Sequence, residues 1–269
     1  MKCIFCKCDS SNSKSVEHII PESLGNKSHT LPKGIVCDSC NNYFATKIEK
    51  NLLESGYFKS LRYRNYVANK KGVVPMETAI IAHPEGGKIE VEVNGNILEA
   101  VIPSKRVYDL VSSGSVKRLY IPIYQTPEPD SIIMSRFLAK VALEALAQRV
   151  SILDDWNEEL VTNDSLNPLR SWARFGEGSK MWHYHIRRIY DENHPFTDAN
   201  RKYQILHEYD FILINRETFF LCAIFGMEYA INMGGDSVEN YLEWLRKNRG
   251  ISPLQMTHDE KVSHNQSNQ

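Results

Sequence analysis

The 269-residue sequence has no apolar run approaching the roughly 18 residues of a membrane-spanning helix, because charged or polar residues break its longest apolar stretches. It has no secretory signal peptide at its start, where Met1, Lys2 and Cys3 stand. It also has no internal repeat. These absences predict a protein without membrane association, and a cytoplasmic location is the default expectation. With 42% hydrophobic and 24% charged residues, the composition is that of a globular protein.

The sequence has little net charge, −1, but the charge is unevenly distributed. Residues 1–72 contain 12 Lys or Arg against 6 Asp or Glu, and the remainder carries a net charge of −7. The basic residues that end this first stretch alternate with aromatic residues and comprise Lys59, Arg62, Arg64, Lys70 and Lys71. They are candidates for binding the phosphates of a nucleic acid, and a solvated helix face is the alternative interpretation.

Two Cys-x-x-Cys pairs, Cys3 with Cys6 and Cys37 with Cys40, predict a structural zinc site, because four thiolates form a tetrahedral zinc shell. The 30 residues between the pairs make a long insert, which indicates that the zinc holds something between its two turns. Two disulfides are the alternative, disfavoured by the reducing cytosol. Cys8 could replace Cys6 as a ligand, although the equal spacing of the pairs favours Cys6.

The insert and the residues behind it contain three groups that can act on a phosphate. Residues 16–20 predict a short strand that carries Glu17 and His18 and enters a loop with a turn at residues 25–28. Asn41 directly follows the last cysteine and is predicted in the first turn of a helix, since apolar residues at helical spacing follow it.

These residue types suit metal-assisted hydrolysis of a phosphodiester. A neutral imidazole can accept a proton from water near pH 7. Carboxylate and amide oxygens are suitable ligands for magnesium or manganese, which can stabilise the charge of a scissile phosphate. Taken singly, His18 with Glu17 could be a surface pair and Asn41 a helix cap.

In this spacing, the residues resemble the HNH endonuclease family, in the branch with Cys-x-x-Cys, Glu-His-Ile-x-Pro-x-x-x-Gly and Cys-x-x-Cys-Asn. The matching positions are Cys3, Cys6, Glu17-His18-Ile19-Ile20-Pro21, Leu24-Gly25, Cys37, Cys40 and Asn41. The resemblance implies a ββα-metal finger, in which a hairpin and a helix cradle one catalytic divalent ion. It implies that His18 is the general base, that Glu17 and Asn41 hold the ion, and that the cysteines hold zinc.

The sequence departs from the family pattern at the residue that gives the middle letter of the name HNH. That residue is usually an Asn a few positions before the second cysteine pair, and residues 31–36 contain none. The role of orienting the loop around the general base is therefore unassigned, with Asn26 and His29 as candidates. The last member of the name is Asn41 rather than His, a variant that the family tolerates.

Beyond the resemblance, the pattern predicts mixed α and β structure. Strands are predicted at residues 78–82, 88–93, 97–102, 119–124, 182–190, 204–215 and 218–225. Asn94-Gly95 predicts a hairpin turn. A long amphipathic helix is predicted at residues 130–150, with Arg136 and Lys140 away from its apolar stripe, and further helices at residues 152–162, 168–176 and 237–248.

The predicted fold class is therefore α+β, with a zinc-stapled ββα-metal finger followed by a mixed α+β domain. The predicted domains are the finger at residues 1–56, an α+β domain of open role at 57–255 and a disordered tail at 256–269.

The predicted function is that of a metal-dependent HNH endonuclease acting on nucleic acid, in the first place DNA, with restriction or phage defence as its suggested setting. The predicted cofactors are structural zinc and catalytic magnesium or manganese. A non-catalytic zinc module that binds DNA or RNA is the alternative, and a homodimer is left open.

Overall fold

The computed structural model describes residues 1–94, 97–102, 104–128, 130–191, 196–198, 201–203 and 207–256. The chain forms two compact units. The terminal unit comprises Met1–Ile20, Asn26–Lys50 and Pro129–Gln269, and the middle unit comprises Pro21–Gly25 and Asn51–Glu128. No helix within the described ranges is long and apolar enough to cross a membrane.

The grouping places most of the finger, residues 1–56, with the C-terminal part of the chain. Within the terminal unit, this part of the finger packs with residues that are distant in the sequence. The boundaries at residues 56 and 255 stay predictions, and residues 257–269 of the predicted tail lie outside the described residues.

The finger contains a hairpin followed by a long helical stretch. Strand β1 (Glu17–His18) pairs antiparallel with β2 (Thr30–Leu31), with Glu17 opposite Leu31 and His18 opposite Thr30. The helical stretch consists of α1 (Asp38–Tyr43), a π-helix (Phe44–Glu49) and α2 (Lys50–Glu54), and a 3₁₀ turn lies at Glu22–Leu24. The predicted order of hairpin and helix is confirmed, and Asn41 lies in the first turn of α1.

The middle unit is built around a four-stranded antiparallel sheet. Its elements are α3 (Gly56–Arg64), β3 (Glu77–Ile81), β4 (Lys88–Asn94), β5 (Ile97–Val101), α4 (Lys105–Ser112) and β6 (Leu119–Tyr120). The strand order is β5-β4-β3-β6. Alternate residues of β3 and β4, such as Ala79, Ile81 and Val91, form its core.

The predicted strands of the middle unit are confirmed, with two differences. Strand β6 ends at Tyr120, before Pro122, which has no N–H for a ladder bond. Helix α4 was not predicted, and its N-terminus is capped by the Ser104 hydroxyl, which accepts a hydrogen bond from the Val107 N–H at 3.3 Å. The second residue of the predicted Asn94-Gly95 turn lies outside the described residues.

The C-terminal part of the terminal unit contains helices on either side of its strands in the sequence. Its elements are α5 (Ile132–Val150), α6 (Trp156–Thr162), α7 (Asn167–Phe175), β7 (Tyr184–Arg188), β8 (Phe196–Asp198), β9 (Arg201–Tyr203), β10 (His207–Ile214), β11 (Glu217–Ile224), β12 (Met227–Asn232) and α8 (Glu239–Lys247). Strands β10-β11-β12-β7 form an antiparallel sheet in that order. The α+β class is thus confirmed.

Helix α5 was predicted as an amphipathic helix, and the structure corrects the prediction of its polar face. Its bounds agree with the sequence pattern, and the Ser131 hydroxyl caps it by accepting a hydrogen bond from Met134 N at 3.3 Å. The helix is buried on almost all sides, however, and it packs against α7 and β12. Lys140, predicted on a polar face, is 0% exposed. Small alanines along α5 let neighbouring elements approach it closely.

The sheet packs on α8 around a buried carboxylate. Glu228 on β12 is 0% exposed, and its Oε1 accepts hydrogen bonds from Arg187 Nε at 2.6 Å and from the Tyr241 hydroxyl at 2.8 Å. The Ser252 hydroxyl donates to the other carboxylate oxygen. One side chain therefore joins two strands, α8 and the segment behind α8.

We expect Glu228→Ala to lower the free energy of unfolding by about 3–5 kcal/mol, because removing one partner leaves the Arg187 charge and two hydroxyl groups unsatisfied. Urea unfolding followed by tryptophan fluorescence measures the change. Glu243→Ala on the exposed side of α8 is the matched control and should change stability little. Equal stabilities of the two variants would contradict this account of the C-terminal core.

Candidate functional site

The four predicted zinc ligands converge. The sulfur atoms of Cys3, Cys6, Cys37 and Cys40 all lie within 4.8 Å of one another. Cys8 is exposed and lies outside this cluster, with its sulfur 3.6 Å from the carbonyl oxygen of Cys6. The geometry favours Cys6 over Cys8 as the fourth ligand, and a tetrathiolate cluster of this kind fits zinc.

The local backbone positions the thiols. Cys37 is the N-cap of α1, and its sulfur accepts a hydrogen bond from Cys40 N at 3.4 Å. The Cys3 sulfur accepts from Cys37 N at 3.4 Å. The Lys7 N–H donates to the Cys3 carbonyl at 2.9 Å, and the positive φ of Lys7, 61°, turns the following chain back so that the Cys8 carbonyl accepts from the Cys3 N–H at 2.9 Å. Helix N-termini and backbone N–H groups stabilise thiolates, as a metal site requires.

The thiols differ in acidity before a metal binds. A hydrogen bond from Cys40 lowers the pKa of Cys3 to about 5, whereas burial raises the pKa of Cys37 to about 11. The hydrogen bond to Cys3 also raises the pKa of Cys40. Cys3 is thus ready to bind a metal as a thiolate at neutral pH, and zinc binding would release the protons of Cys37 and Cys40.

Glu17 and His18 lie on β1 beside a buried lysine from α5. Lys140 Nζ lies 2.6 Å from Glu17 Oε1 and donates a hydrogen bond to the His18 carbonyl oxygen at 3.1 Å. It also lies 2.7 Å from Glu49 Oε1 and 3.1 Å from Glu144 Oε2. Glu17 is buried and the His18 side chain is half-buried. One ammonium group therefore joins the hairpin, the π-helix and α5.

The electrostatics of this cluster keep the lysine charged. Burial would lower the pKa of Lys140, but the carboxylates of Glu144, Glu17 and Glu49 raise it well above its usual value. Burial raises the pKa of Glu144, and the nearby ammonium of Lys140 opposes this rise.

Asn41 is half-buried and directly follows the zinc-ligand candidate Cys40, and its N–H donates to the Cys37 carbonyl at 2.9 Å. The cysteine turn therefore sets its position on α1. Glu17 and Asn41 offer one carboxylate and one amide, a donor set that fits magnesium because this ion keeps several waters. Among the described residues, the four cysteines are the one group of three or more His, Cys, Asp or Glu side chains that converges on a metal position.

Asn26 organises the loop between β1 and β2. It is 1% exposed, and its Nδ2 donates to the carbonyl oxygens of Ile20 at 2.6 Å and His29 at 3.0 Å. Its Oδ1 accepts from the N–H groups of Ser28 at 3.1 Å and His29 at 2.9 Å. Of the two residues that the sequence suggested for orienting the loop, Asn26 has the contacts for it. The turn pattern after Gly25 was the sequence feature that indicated this role of Asn26.

We expect Asn26→Ala to lower the free energy of unfolding of the terminal unit by about 1–3 kcal/mol, because buried backbone groups at both ends of the loop lose their partners. Thermal unfolding of the zinc-loaded chain measures this change. Asn12→Ala, an exposed asparagine of the same finger, is the control and should have little effect. A midpoint equal to that of the control would show that the loop holds without Asn26.

The five predicted nucleic-acid contacts differ in exposure. Lys59, Arg62 and Arg64 lie on α3, whereas Lys70 and Lys71 follow it on exposed chain. Arg62 is 7% exposed, and burial lowers its pKa. Arg64 donates to the Tyr124 carbonyl at 3.2 Å. Arg62 therefore does not lie on a solvated face, and the role of the five in binding stays a prediction.

Helices α5 and α7 support the finger within the terminal unit. Buried Arg170 donates from Nε to the carbonyl oxygen of Ile4, between the first two cysteines, at 2.8 Å. Arg136 donates to the Tyr43 hydroxyl at 2.7 Å, and the Arg174 guanidinium lies 3.6 Å from the centre of the Tyr43 ring. Nothing in the spacing of the motifs indicated these partners.

These features define an α+β protein with an N-terminal hairpin, a helix and a cysteine cluster that can hold zinc. Residues 3–55 match the model of a family described as HNH endonuclease, which confirms the resemblance and supports a nuclease that acts on nucleic acid. Residues 56–269 lie outside this match. No curated protein and no solved structure matches the chain.

Proposed function

We propose that the chain is a metal-dependent HNH endonuclease that hydrolyses phosphodiester bonds in DNA, with its active site in the finger. The observation that carries the proposal is the placement of Glu17 and His18 on a hairpin that leads to Asn41 and the cysteine cluster, within the segment that matches the HNH family. Restriction or phage defence is a setting in which such an activity would serve.

In this proposal, His18 is the general base. Its imidazole accepts a proton from a water molecule, the water oxygen attacks the phosphorus, and the bond to the leaving oxygen breaks. Glu17 and Asn41 are the proposed ligands of magnesium or manganese, which when bound stabilises negative charge on the phosphate and the leaving oxygen. Zinc on the four cysteines would fix the N-terminal turn of the chain to α1.

Lys59, Arg64, Lys70 and Lys71 are proposed to bind the backbone of the substrate, whereas Arg62 is buried. Lys70 and Lys71 are the most accessible of them. Their contribution would be sequence-independent and would weaken as salt is added.

Labelled double-stranded DNA, single-stranded DNA and RNA of one sequence test the proposal when each is incubated with the zinc-loaded chain and magnesium or manganese. We expect shorter products from double-stranded DNA. Binding without cleavage of any substrate would favour the non-catalytic zinc module instead.

A further inference from the structure

We propose that Lys140 is a positioning residue of the proposed hydrolytic site, which fixes the direction in which the finger presents the His18 imidazole. The inference rests on the proposed function and deepens it. It assigns to α5, outside the matched segment, a defined part in the activity of the finger.

Lys140 contacts two adjacent residues of the proposed site, Glu17 and His18. Its Nζ binds the Glu17 carboxylate at 2.6 Å and the His18 carbonyl oxygen at 3.1 Å. Successive side chains of a strand point to opposite faces. Holding the Glu17 side chain and the His18 backbone from one side therefore restrains the rotation of β1 that would redirect the imidazole.

The strand itself is too short to impose this restraint. β1 and β2 contain two residues each, so the hairpin ladder fixes little of the backbone. The buried ammonium of Lys140 has carboxylate partners on β1, the π-helix and α5, and these contacts hold it from several directions. One of these partners, Glu49, is the last residue of the π-helix.

A purely structural cross-link between α5 and the finger is the competing explanation. The Arg170–Ile4 and Arg136–Tyr43 hydrogen bonds already join the finger to α5 and α7. Lys140 differs from these residues because it contacts Glu17 and His18. The test must therefore separate loss of attachment from loss of orientation.

The double variant Lys140→Met/Glu49→Gln makes this separation. It removes one positive and one negative charge and keeps side chains of similar size, so the net charge of the buried cluster is unchanged. Glu49→Gln alone retains Lys140 with its contacts to Glu17 and His18. Arg149→Met removes an exposed cation from the same helix and is the matched control.

We expect the double variant to retain its zinc and to unfold at a lower midpoint, because Glu17 loses its cation. Below that midpoint it should lose about 100-fold in kcat with KM unchanged, as misplacement of a reacting group does. Glu49→Gln and Arg149→Met should stay within a few-fold of the wild type. A kcat of the double variant equal to that of the wild type would overturn the proposal. A loss in Glu49→Gln equal to that of the double variant would also overturn it, since attachment alone would then explain both.

A second readout is independent of cleavage. In NMR spectra of the full chain with labelled histidine, the His18 ring signals should move in Lys140→Met/Glu49→Gln and stay in place in Arg149→Met. His18→Ala assigns the signals. If the wild type does not cut, the proposed function fails, while moved ring signals would still support the positioning role. Unmoved ring signals would overturn the positioning role whether or not the chain cuts.

Discussion

Replacing His18 with alanine should slow phosphodiester cleavage by about 100- to 10,000-fold, because the imidazole is the proposed acceptor of the proton of the attacking water, whereas its neighbour Glu17 is a proposed metal ligand. The fold should tolerate the change, since the imidazole is half-buried and the contact of His18 with Lys140 is made by its backbone carbonyl. Single-turnover cleavage of a labelled duplex, with zinc content and unfolding midpoint measured on the same samples, gives the comparison.

His29→Ala is the matched control for this experiment. His29 lies just before β2 in the same finger, and its ring contacts Tyr209 at a centroid distance of 5.3 Å. Its substitution should affect stability more than chemistry. Equal loss of cleavage in the two variants, or undiminished cleavage in His18→Ala, would remove His18 from the role of general base.

Removal of zinc is the second change for which we expect a large effect, on both folding and cleavage. Apparent binding free energies of structural zinc are on the order of 10–16 kcal/mol near pH 7, and this free energy is coupled to folding. Cys3 and Cys40 are buried, so removal of the metal would leave buried thiols between the N-terminal turn of the chain and α1. We expect a chelator, or Cys40→Ser, to abolish zinc binding, reduce the helical signal of residues 38–54 and abolish cleavage.

Cys8→Ser is the control for the zinc experiment, because Cys8 is exposed and outside the cluster. This variant should bind zinc in the same proportion as the wild type and retain its helical signal. Loss of zinc in Cys8→Ser would restore Cys8 as a ligand. Unchanged far-UV and fluorescence signals after complete chelation would contradict a structural role for the metal.

The finger was the most predictable part of the fold because its signals are local. Cysteine spacing, the turn at residues 25–28 and the apolar spacing after Asn41 each depend on a few neighbouring residues, and they located β1 and α1. The same holds for the start of α5, where the serine cap is visible in the sequence. The family resemblance added the roles of the residues rather than their positions.

The environment of the finger depends on contacts that the sequence pattern does not contain. The sequence of α5 indicates an amphipathic helix with charged residues away from its apolar stripe. One of these residues, Lys140, is nevertheless buried inside the terminal unit and paired with carboxylates. Its partners come from residues about 90 to 120 positions away in the chain. The sequence feature that could have indicated the burial of Lys140 is its position within a run of apolar and small residues. Strand β12 was missed because it is buried on both faces and shows no alternation.

The most direct test of the central claim, that the finger is a hydrolytic site, is nicking of supercoiled plasmid by the zinc-loaded full chain with added magnesium or manganese. Wild type and His18→Ala are compared at equal zinc content. The account predicts that the wild type converts the plasmid to nicked or linear forms and that His18→Ala leaves it supercoiled. A wild type that carries zinc and shifts the plasmid in a gel, but leaves every strand intact with either metal, would contradict it.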